Sequence, residues 1–251
     1  MVIKSRSDTF SEIIHIVWTM KFCGVIPFTL HGEICNRDIR HSKLQMVYGI
    51  LIFITRNSCF IFVSHFIHNN FVYLQYFGKI IAFITCGMNV ILTLVMALNL
   101  VTFFELSGIF PKLSQFDNSV KKTKSHNLCI YGQLFIHIGL CVFTILFNTE
   151  TGYGLKFDVI LIIMHVFQNF IDINVAFLLD LFMIRIVVMI EKRFGIVNSY
   201  LEGTVNNFSI VNITFIRDLM SWHNLLCDTV NLTNSFFSMR ILLGVLVKFM
   251  I

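Results

Sequence analysis

Long apolar stretches with few polar interruptions dominate the pattern of residues along the chain. A helix needs about 20 apolar residues to cross a bilayer core of about 30 Å. Four runs reach that length: Leu44–Ile67, Ile80–Phe104, Leu128–Phe147 and Val159–Ile184. Backbone groups in lipid must be paired within their own segment, and the runs lack the alternation of barrel strands. The pattern therefore predicts four membrane-spanning helices.

The pattern after the fourth run changes to one apolar face per helical turn. Apolar residues recur at spacings of three and four, which is typical of an amphipathic helix. We predict one helix of about 40 residues from Ile210 to Gly244, with two helices joined at Asn231–Ser235 as the alternative. Its first half would be cytoplasmic and its second half the start of a fifth span, Phe236–Ile251. Those last residues reach only about 24 Å, so we expect a truncated chain.

The composition excludes most soluble folds. Apolar residues make up 56% and charged residues 13% of the chain, against roughly 45–50% and about 25% in soluble domains. A soluble domain of this size would leave too much apolar surface in water. The predicted class is all-α, a polytopic membrane helix bundle with a long cytoplasmic helical extension. Its segments are residues 1–43 (cytoplasmic), 44–184 (four-helix bundle), 185–235 (cytoplasmic helical segment) and 236–251 (start of the fifth helix).

The distribution of Lys and Arg predicts the orientation. Six lie in the N-terminal segment, four between the second and third spans and four between the fourth and fifth, but only two in the other connections. By the positive-inside rule, the N-terminus is cytoplasmic in a multi-pass plasma-membrane protein. Three glycosylation patterns, at Asn207, Asn212 and Asn231, fall on the predicted cytoplasmic side. We interpret them as chance matches, and a glycan on any of them would reverse the orientation.

Other chemistries find little support in the sequence. The net charge of +5 is spread along the chain, without the concentrated basic face that nucleic-acid binding needs. The seven cysteines form no CxxC pattern and are predicted to be reduced thiols. His65 and His68 are too few for a metal site, and no catalytic or phosphate-binding motif occurs. We therefore expect no enzyme activity, no metal and no cofactor.

Polar residues inside the spans are the candidate ligand site. Lipid disfavours polar groups, so they usually face the bundle interior. At 100° per residue, the polar positions of each span share one face. Two interpretations stay open: a pocket for a small molecule, or hydrogen bonds that hold the helices together. The candidate residues are Thr85, Asn89 and Thr93 in the second span, Gln133 and His137 in the third, and His165, Gln168, Asn169 and Asp172 in the fourth.

Two charges lie near the middle of their spans. Arg56 is central in the first span and Asp172 in the fourth, and either one alone in lipid would cost a few kcal/mol. We therefore predict that Arg56 pairs with Asp172. Asp180 is the second choice of partner. Alternatively, the first span starts later and Arg56 extends its side chain to the interface.

Two stretches carry a resemblance to a known family. Met20–Phe28 contains Gly24-Val25-Ile26-Pro27-Phe28, and the region before the fifth span reads Arg217–Cys227 followed by Asn231 and Ser235–Phe237. With the Phe-rich spans, the cytoplasmic N-terminus and the basic connection after span four, the chain resembles the insect gustatory receptors. That family belongs to a superfamily shared with the odorant receptors.

The resemblance implies a seven-helix subunit of a homo- or hetero-tetrameric, ligand-gated cation channel in the plasma membrane. A small-molecule tastant would bind in the outer half of the bundle, where the polar stripes lie. The cytoplasmic helices, with the segment Ile210–Val230, would form subunit contacts, and the last helix would line the pore. The family's C-terminal Thr-Tyr-x5-Gln-Phe pattern is absent, so we expect that this chain alone conducts no ions. An odorant receptor and a small-solute transporter are the alternatives, whereas an intramembrane enzyme is disfavoured.

Overall fold

The computed structural model describes residues 13–26, 28–31, 38–69, 76–101, 103–120, 158–206 and 213–249, with scattered positions between 135 and 150. The described part is helical apart from one short antiparallel pairing, so it fits the all-α class. The pairing places Phe28 opposite His41 and His31 opposite Asp38. In chain order the elements are α1 (Ile14–Phe22), β1 (Phe28–His31), β2 (Asp38–His41), α2 (Lys43–Asn69), α3 (Tyr76–Val101), α4 (Phe103–Val120), α5 (Val159–Asn206) and α6 (Ile213–Phe249).

Two of these helices are long and apolar enough to cross a membrane. They are α2, Lys43–Asn69, and the stretch Val159–Val205 of α5, which contain the predicted first and fourth spans. The apolar part of α3, Cys86–Asn99, is shorter. Most of the predicted third span, Leu128–Phe147, lies outside the described residues, although its described positions are helical.

The helix boundaries differ from the predicted segment boundaries in two places. Helix α3 ends at Val101, and the last residues of the predicted second span belong to α4, which occupies the predicted connection. Helix α5 runs without interruption past Ile184 to Asn206. The predicted fourth span ends where charged residues return to the sequence. The helix itself does not end there, because no proline follows to interrupt its hydrogen bonds. The single-helix prediction for the last segment agrees with α6, which is continuous through Asn231–Ser235.

Helix α5 is the central element of the packing. It packs against α2 on one side and α6 on another, and α6 also packs against α4. Aromatic side chains fill the buried space between α4, α5 and α6, with Phe110, Phe116, Phe182 and Phe236 almost fully buried. Rings of this size remove a large apolar area from solvent, so they dominate the energetics of this core.

Helix α2 has the reverse of the pattern that water selects. Its buried residues include Arg56, whereas Leu51, Ile61 and Phe62 are exposed by 57%, 65% and 60% of their surface. In water, burial of Arg and exposure of large aliphatic and aromatic side chains would both be unfavourable. The pattern is favourable when apolar lipid tails surround the helix.

Gly24 allows the chain to turn from α1 towards α2. Its φ of 70° lies in the left-handed region, and the Gly24 and Val25 N–H groups donate to the carbonyls of Lys21 and Met20. This is the Schellman arrangement that ends many helices. A Cβ at Gly24 would lie 3.0 Å from the Ile52 Cβ. Glycine is therefore required both for the backbone conformation and for the close approach to α2.

The cysteines within the described residues are free thiols, as the sequence predicts; they are Cys23, Cys59, Cys86, Cys141 and Cys227. Burial raises the pKa of the Cys23 thiol to about 12, so this thiol is protonated and unreactive at neutral pH. Cys86 is exposed. Cys35 and Cys129 lie outside the described residues.

Candidate functional site

A buried ion pair joins the two helices that are long enough to cross a membrane. The Arg56 Nε donates to Asp172 Oδ1 at 2.7 Å, and its Nη2 donates to Asp172 Oδ2 at 2.9 Å. Arg56 has no exposed surface and Asp172 is 4% exposed. Paired, doubly hydrogen-bonded geometry is the arrangement that compensates the cost of removing two charges from water. The structure thus brings together the two residues that the sequence pairs.

Three polar side chains complete the shell around the guanidinium. Arg56 Nη1 donates to Asn57 Oδ1 at 3.1 Å and to Thr93 Oγ1. Arg56 Nη2 donates to Asn89 Oδ1 at 2.7 Å. The guanidinium carries five N–H donors and no acceptor, and the shell together with Asp172 offers an acceptor in each direction. We define Arg56, Asn57, Asn89, Thr93 and Asp172 as the Arg56 cluster.

The two alternatives to this pair do not hold in the structure. Asp180 is exposed on α5, two turns away from the carboxylate that contacts Arg56. An Arg56 side chain that extended to the interface would have exposed surface, and this one has none.

A cavity of about 280 Å³ lies beside the Arg56 cluster, between α2, α3 and α5. Its walls are mostly apolar, with a few amide, hydroxyl and imidazole groups. This combination of apolar walls and few polar groups is typical of small-molecule sites. The lining residues are Phe60, Val63, Ser64, Ile67 and His68 of α2, Phe83, Cys86 and Asn89 of α3, and His165 and Gln168 of α5.

The predicted site residues separate into two layers. Asn89, His165 and Gln168 line the cavity. Thr93 and Asp172 lie behind the cavity, in the Arg56 cluster. The pocket interpretation therefore describes one part of the predicted residues, and the interpretation as hydrogen bonds between helices describes the other.

The other predicted residues support or lie beyond these layers. The Asn169 Nδ2 is 3.2 Å from a ring nitrogen of His165 and so holds that ring from the next turn of α5. Gln133, His137 and the side chain of Thr85 lie outside what the structure describes.

Sequence reasoning missed most of the cavity wall. Phe60, Phe83 and Ser64 line the cavity, and His68, interpreted as an interfacial residue, does so too. Phenylalanine occurs 28 times in the chain, so no single Phe stands out from its neighbours. For two of these residues the sequence offers a signal, because Phe60 and Ser64 follow Arg56 on α2 by about one and two helical turns.

A second buried ion pair, absent from the sequence predictions, joins α4 to α5. Arg193 Nε donates to Asp117 Oδ1 at 2.9 Å, and its Nη1 donates to the Met189 carbonyl at 2.7 Å. Both charged side chains are at least nine-tenths buried. This pair fixes α4, which covers the predicted connection, against the long extension of α5.

The described residues contain no group of three or more His, Cys, Asp or Glu side chains that could hold a metal ion. In the cavity wall, Asn89, His165 and Gln168 offer hydrogen bonds, and the aromatic and aliphatic side chains offer apolar contact.

Comparison of the chain with models of known protein families, with curated proteins and with solved structures finds no significant match.

Proposed function

We propose that the chain is a multi-pass membrane protein with a cytoplasmic N-terminus and acts as a chemoreceptor subunit of the gustatory type, in a ligand-gated cation channel. Its ligand would be a small-molecule tastant. The resemblance of Gly24–Phe28 and Arg217–Cys227 to the gustatory receptors motivates the proposal. The exposed apolar face and buried Arg56 of α2 support the membrane environment.

The cavity beside the Arg56 cluster is the observation that carries the receptor proposal. It is lined by the C-terminal end of α2 and by positions in the N-terminal halves of α3 and α5. With a cytoplasmic N-terminus, all three of these helix ends approach the outer face of the membrane. A ligand arriving from outside the cell would thus meet a preformed cavity with amide, hydroxyl and imidazole groups in its wall.

The Arg56 cluster gives the cavity a connection to the rest of the bundle. Asn89 lines the cavity and also accepts a hydrogen bond from Arg56, which holds Asp172 in the middle of the α5 span. A ligand that displaces Asn89 would change the contacts between α2 and α5. Conformational coupling of this kind needs such a contiguous physical element with two arrangements.

The test is a cavity-filling substitution with a matched control. Ser64 lines the cavity, and Ser64→Trp would occupy it from the rim, whereas Ile61→Trp adds the same ring on an exposed face of the same helix turn. Cells expressing the chain, alone and with candidate partner subunits, would be challenged with sucrose, caffeine, quinine and denatonium while cation entry is recorded. We expect a response to at least one tastant that Ser64→Trp abolishes and Ile61→Trp preserves.

Surface delivery of every variant is measured in the same cells. A Ser64→Trp protein that reaches the surface and responds like the wild type would overturn the assignment of the cavity. A wild-type chain at the surface that gives no response to any tastant, with any partner, would overturn the receptor proposal.

A further inference from the structure

We propose that the cavity accepts a small, uncharged organic molecule with a hydrogen-bond donor, a hydroxyl or N–H group, on an apolar frame, and that Gln168 Oε1 accepts that donor. The inference rests on the proposed function because it concerns the same cavity, and it adds the chemical class of the ligand.

The orientation of Gln168 follows from Arg56. A guanidinium can only donate, so Asn89 must turn its Oδ1 towards Arg56 Nη2, at 2.7 Å. Gln168 Nε2 donates to that same Asn89 oxygen. The amide of Gln168 is therefore fixed with its nitrogen towards the Arg56 cluster, and its oxygen lies on the opposite side of the amide.

The Gln168 oxygen is the unsatisfied group of this site. Gln168 is 2% exposed and lines the cavity, and its Oε1 is buried without a hydrogen-bond partner. A buried acceptor without a donor is costly and rare in folded proteins. A ligand that supplies a donor would recover this cost, whereas an isosteric ligand without one would not.

The remaining wall favours uncharged ligands. No Asp, Glu, Lys or Arg is among the described residues that line the cavity. The nearby charges of Arg56 and Asp172 neutralise each other at 2.7 Å. An ionised ligand would lose its hydration without gaining an opposite charge. The aromatic and aliphatic side chains Phe60, Val63 and Phe83 instead favour an apolar frame.

The test compares 4-methylphenol with 4-fluorotoluene, two molecules of nearly equal shape of which only the first carries a donor. Cys86 is exposed and lines the cavity, so an occupant should slow its alkylation by N-ethylmaleimide. Cys227 on α6 lies outside the cavity lining and serves as the internal reference, and both rates come from peptide mass spectrometry of the purified full chain in lipid nanodiscs. We expect 4-methylphenol to protect Cys86 at concentrations about tenfold lower than 4-fluorotoluene.

Two variants identify the acceptor. Gln168→Leu removes the amide oxygen and should bring the two molecules to equal potency. Gln115→Leu makes the same exchange at an exposed glutamine of α4 outside the cavity lining and should leave the tenfold preference unchanged. The wild-type comparison needs neither variant, so it decides the ligand class even if Gln168→Leu does not fold.

Each other result overturns the inference in a distinct way. Equal protection of wild-type Cys86 by both molecules would contradict the need for a donor, while the cavity would remain a ligand site. A preference that persists in Gln168→Leu would exclude Gln168 Oε1 as the acceptor. Protection by neither molecule would exclude this ligand class, and the tastant responses would still decide the proposed function separately.

Discussion

Two buried Arg–Asp pairs within the described residues lie in different surroundings. The Arg56–Asp172 pair is enclosed by amide and hydroxyl side chains from α2 and α3 and borders a cavity. The Arg193–Asp117 pair lies near the C-terminal end of α4. Arg193 also donates a hydrogen bond to the Met189 carbonyl. There the residue before Asp117 in the chain, Phe116, packs edge to face with Trp222 of α6. The Arg56–Asp172 pair is thus part of a polar network, whereas the Arg193–Asp117 pair connects two tightly packed helices.

The proposed membrane arrangement places the two pairs at different depths. Asp172 and Arg193 are 21 positions apart on α5, which is about 31 Å of helix at 1.5 Å per residue. If Asp172 lies near the middle of the bilayer, Arg193 lies well beyond the hydrocarbon core, which extends only about 15 Å from its midplane. In that arrangement Arg56 needs an acceptor for every donor from within the protein, whereas the segment that holds Arg193 lies outside the hydrocarbon core, where an unpaired charge costs less.

The largest expected effect is the loss of the charge opposite Arg56. Asp172→Leu leaves a buried, unpaired guanidinium, and we expect it to lower the free energy of unfolding by about 3–5 kcal/mol. The measurement is an SDS-titration unfolding curve of the protein in mixed micelles. The double variant Arg56→Leu/Asp172→Leu is the control and should recover at least half of the loss, because no unpaired charge remains. A single variant as stable as the wild type would show that the pair is not buried in lipid.

The corresponding change at the second pair should cost less. Asp117→Leu leaves the buried Arg193 with its bond to the Met189 carbonyl, and the proposed membrane arrangement places Arg193 beyond the hydrocarbon core, so we expect a loss of about 1.5–3 kcal/mol in the same unfolding assay. The double variant Asp117→Leu/Arg193→Leu provides the matched control. A loss larger than that of Asp172→Leu would reverse the order of depths inferred for the two pairs.

The smallest change in stability is expected at an exposed ion pair. Lys112 Nζ lies 2.8 Å from Asp228 Oδ2, and the side chain of Asp228 is 62% exposed. Surface pairs contribute little because water screens them, so Asp228→Asn should change the free energy of unfolding by less than about 1 kcal/mol. High salt should remove that small difference. An effect of several kcal/mol would mean that another segment covers this pair in the folded protein.

The comparison also shows why one pair was predictable from the sequence and the other was not. Within an apolar span a charge must find its partner among the few polar residues at the same depth. The candidate partners of Arg56 were therefore Asp172 and Asp180, and the structure pairs Arg56 with Asp172. Arg193 and Asp117 occur in segments rich in polar residues and lie 76 positions apart, so depth does not limit the choice of partner.

Helix boundaries and cavity walls were likewise only partly predictable from the sequence. The hydropathy of the chain located the apolar parts of α2 and α5, because lipid imposes length and composition on such segments. It did not indicate that α5 continues to Asn206 or that residues 103–120 form α4, since packing against α6 stabilises α4 without a distinctive sequence pattern. The cavity depends on where Phe60 and Phe83 leave space, which is a property of the packed helices.

In the proposed membrane arrangement, apolar side chains such as Phe62 face lipid and the polar side chains turn inward. The most direct measurement places a nitroxide amino acid at Phe62, 60% exposed on α2, or at Glu202, exposed on the extension of α5, in protein reconstituted into lipid nanodiscs. Collision rates with oxygen, which is enriched in lipid, and with a water-soluble nickel complex then report the surroundings of each label. We predict oxygen contact and nickel exclusion at position 62, and ready nickel contact at position 202. Equal access of the nickel complex to both labels would contradict the membrane arrangement.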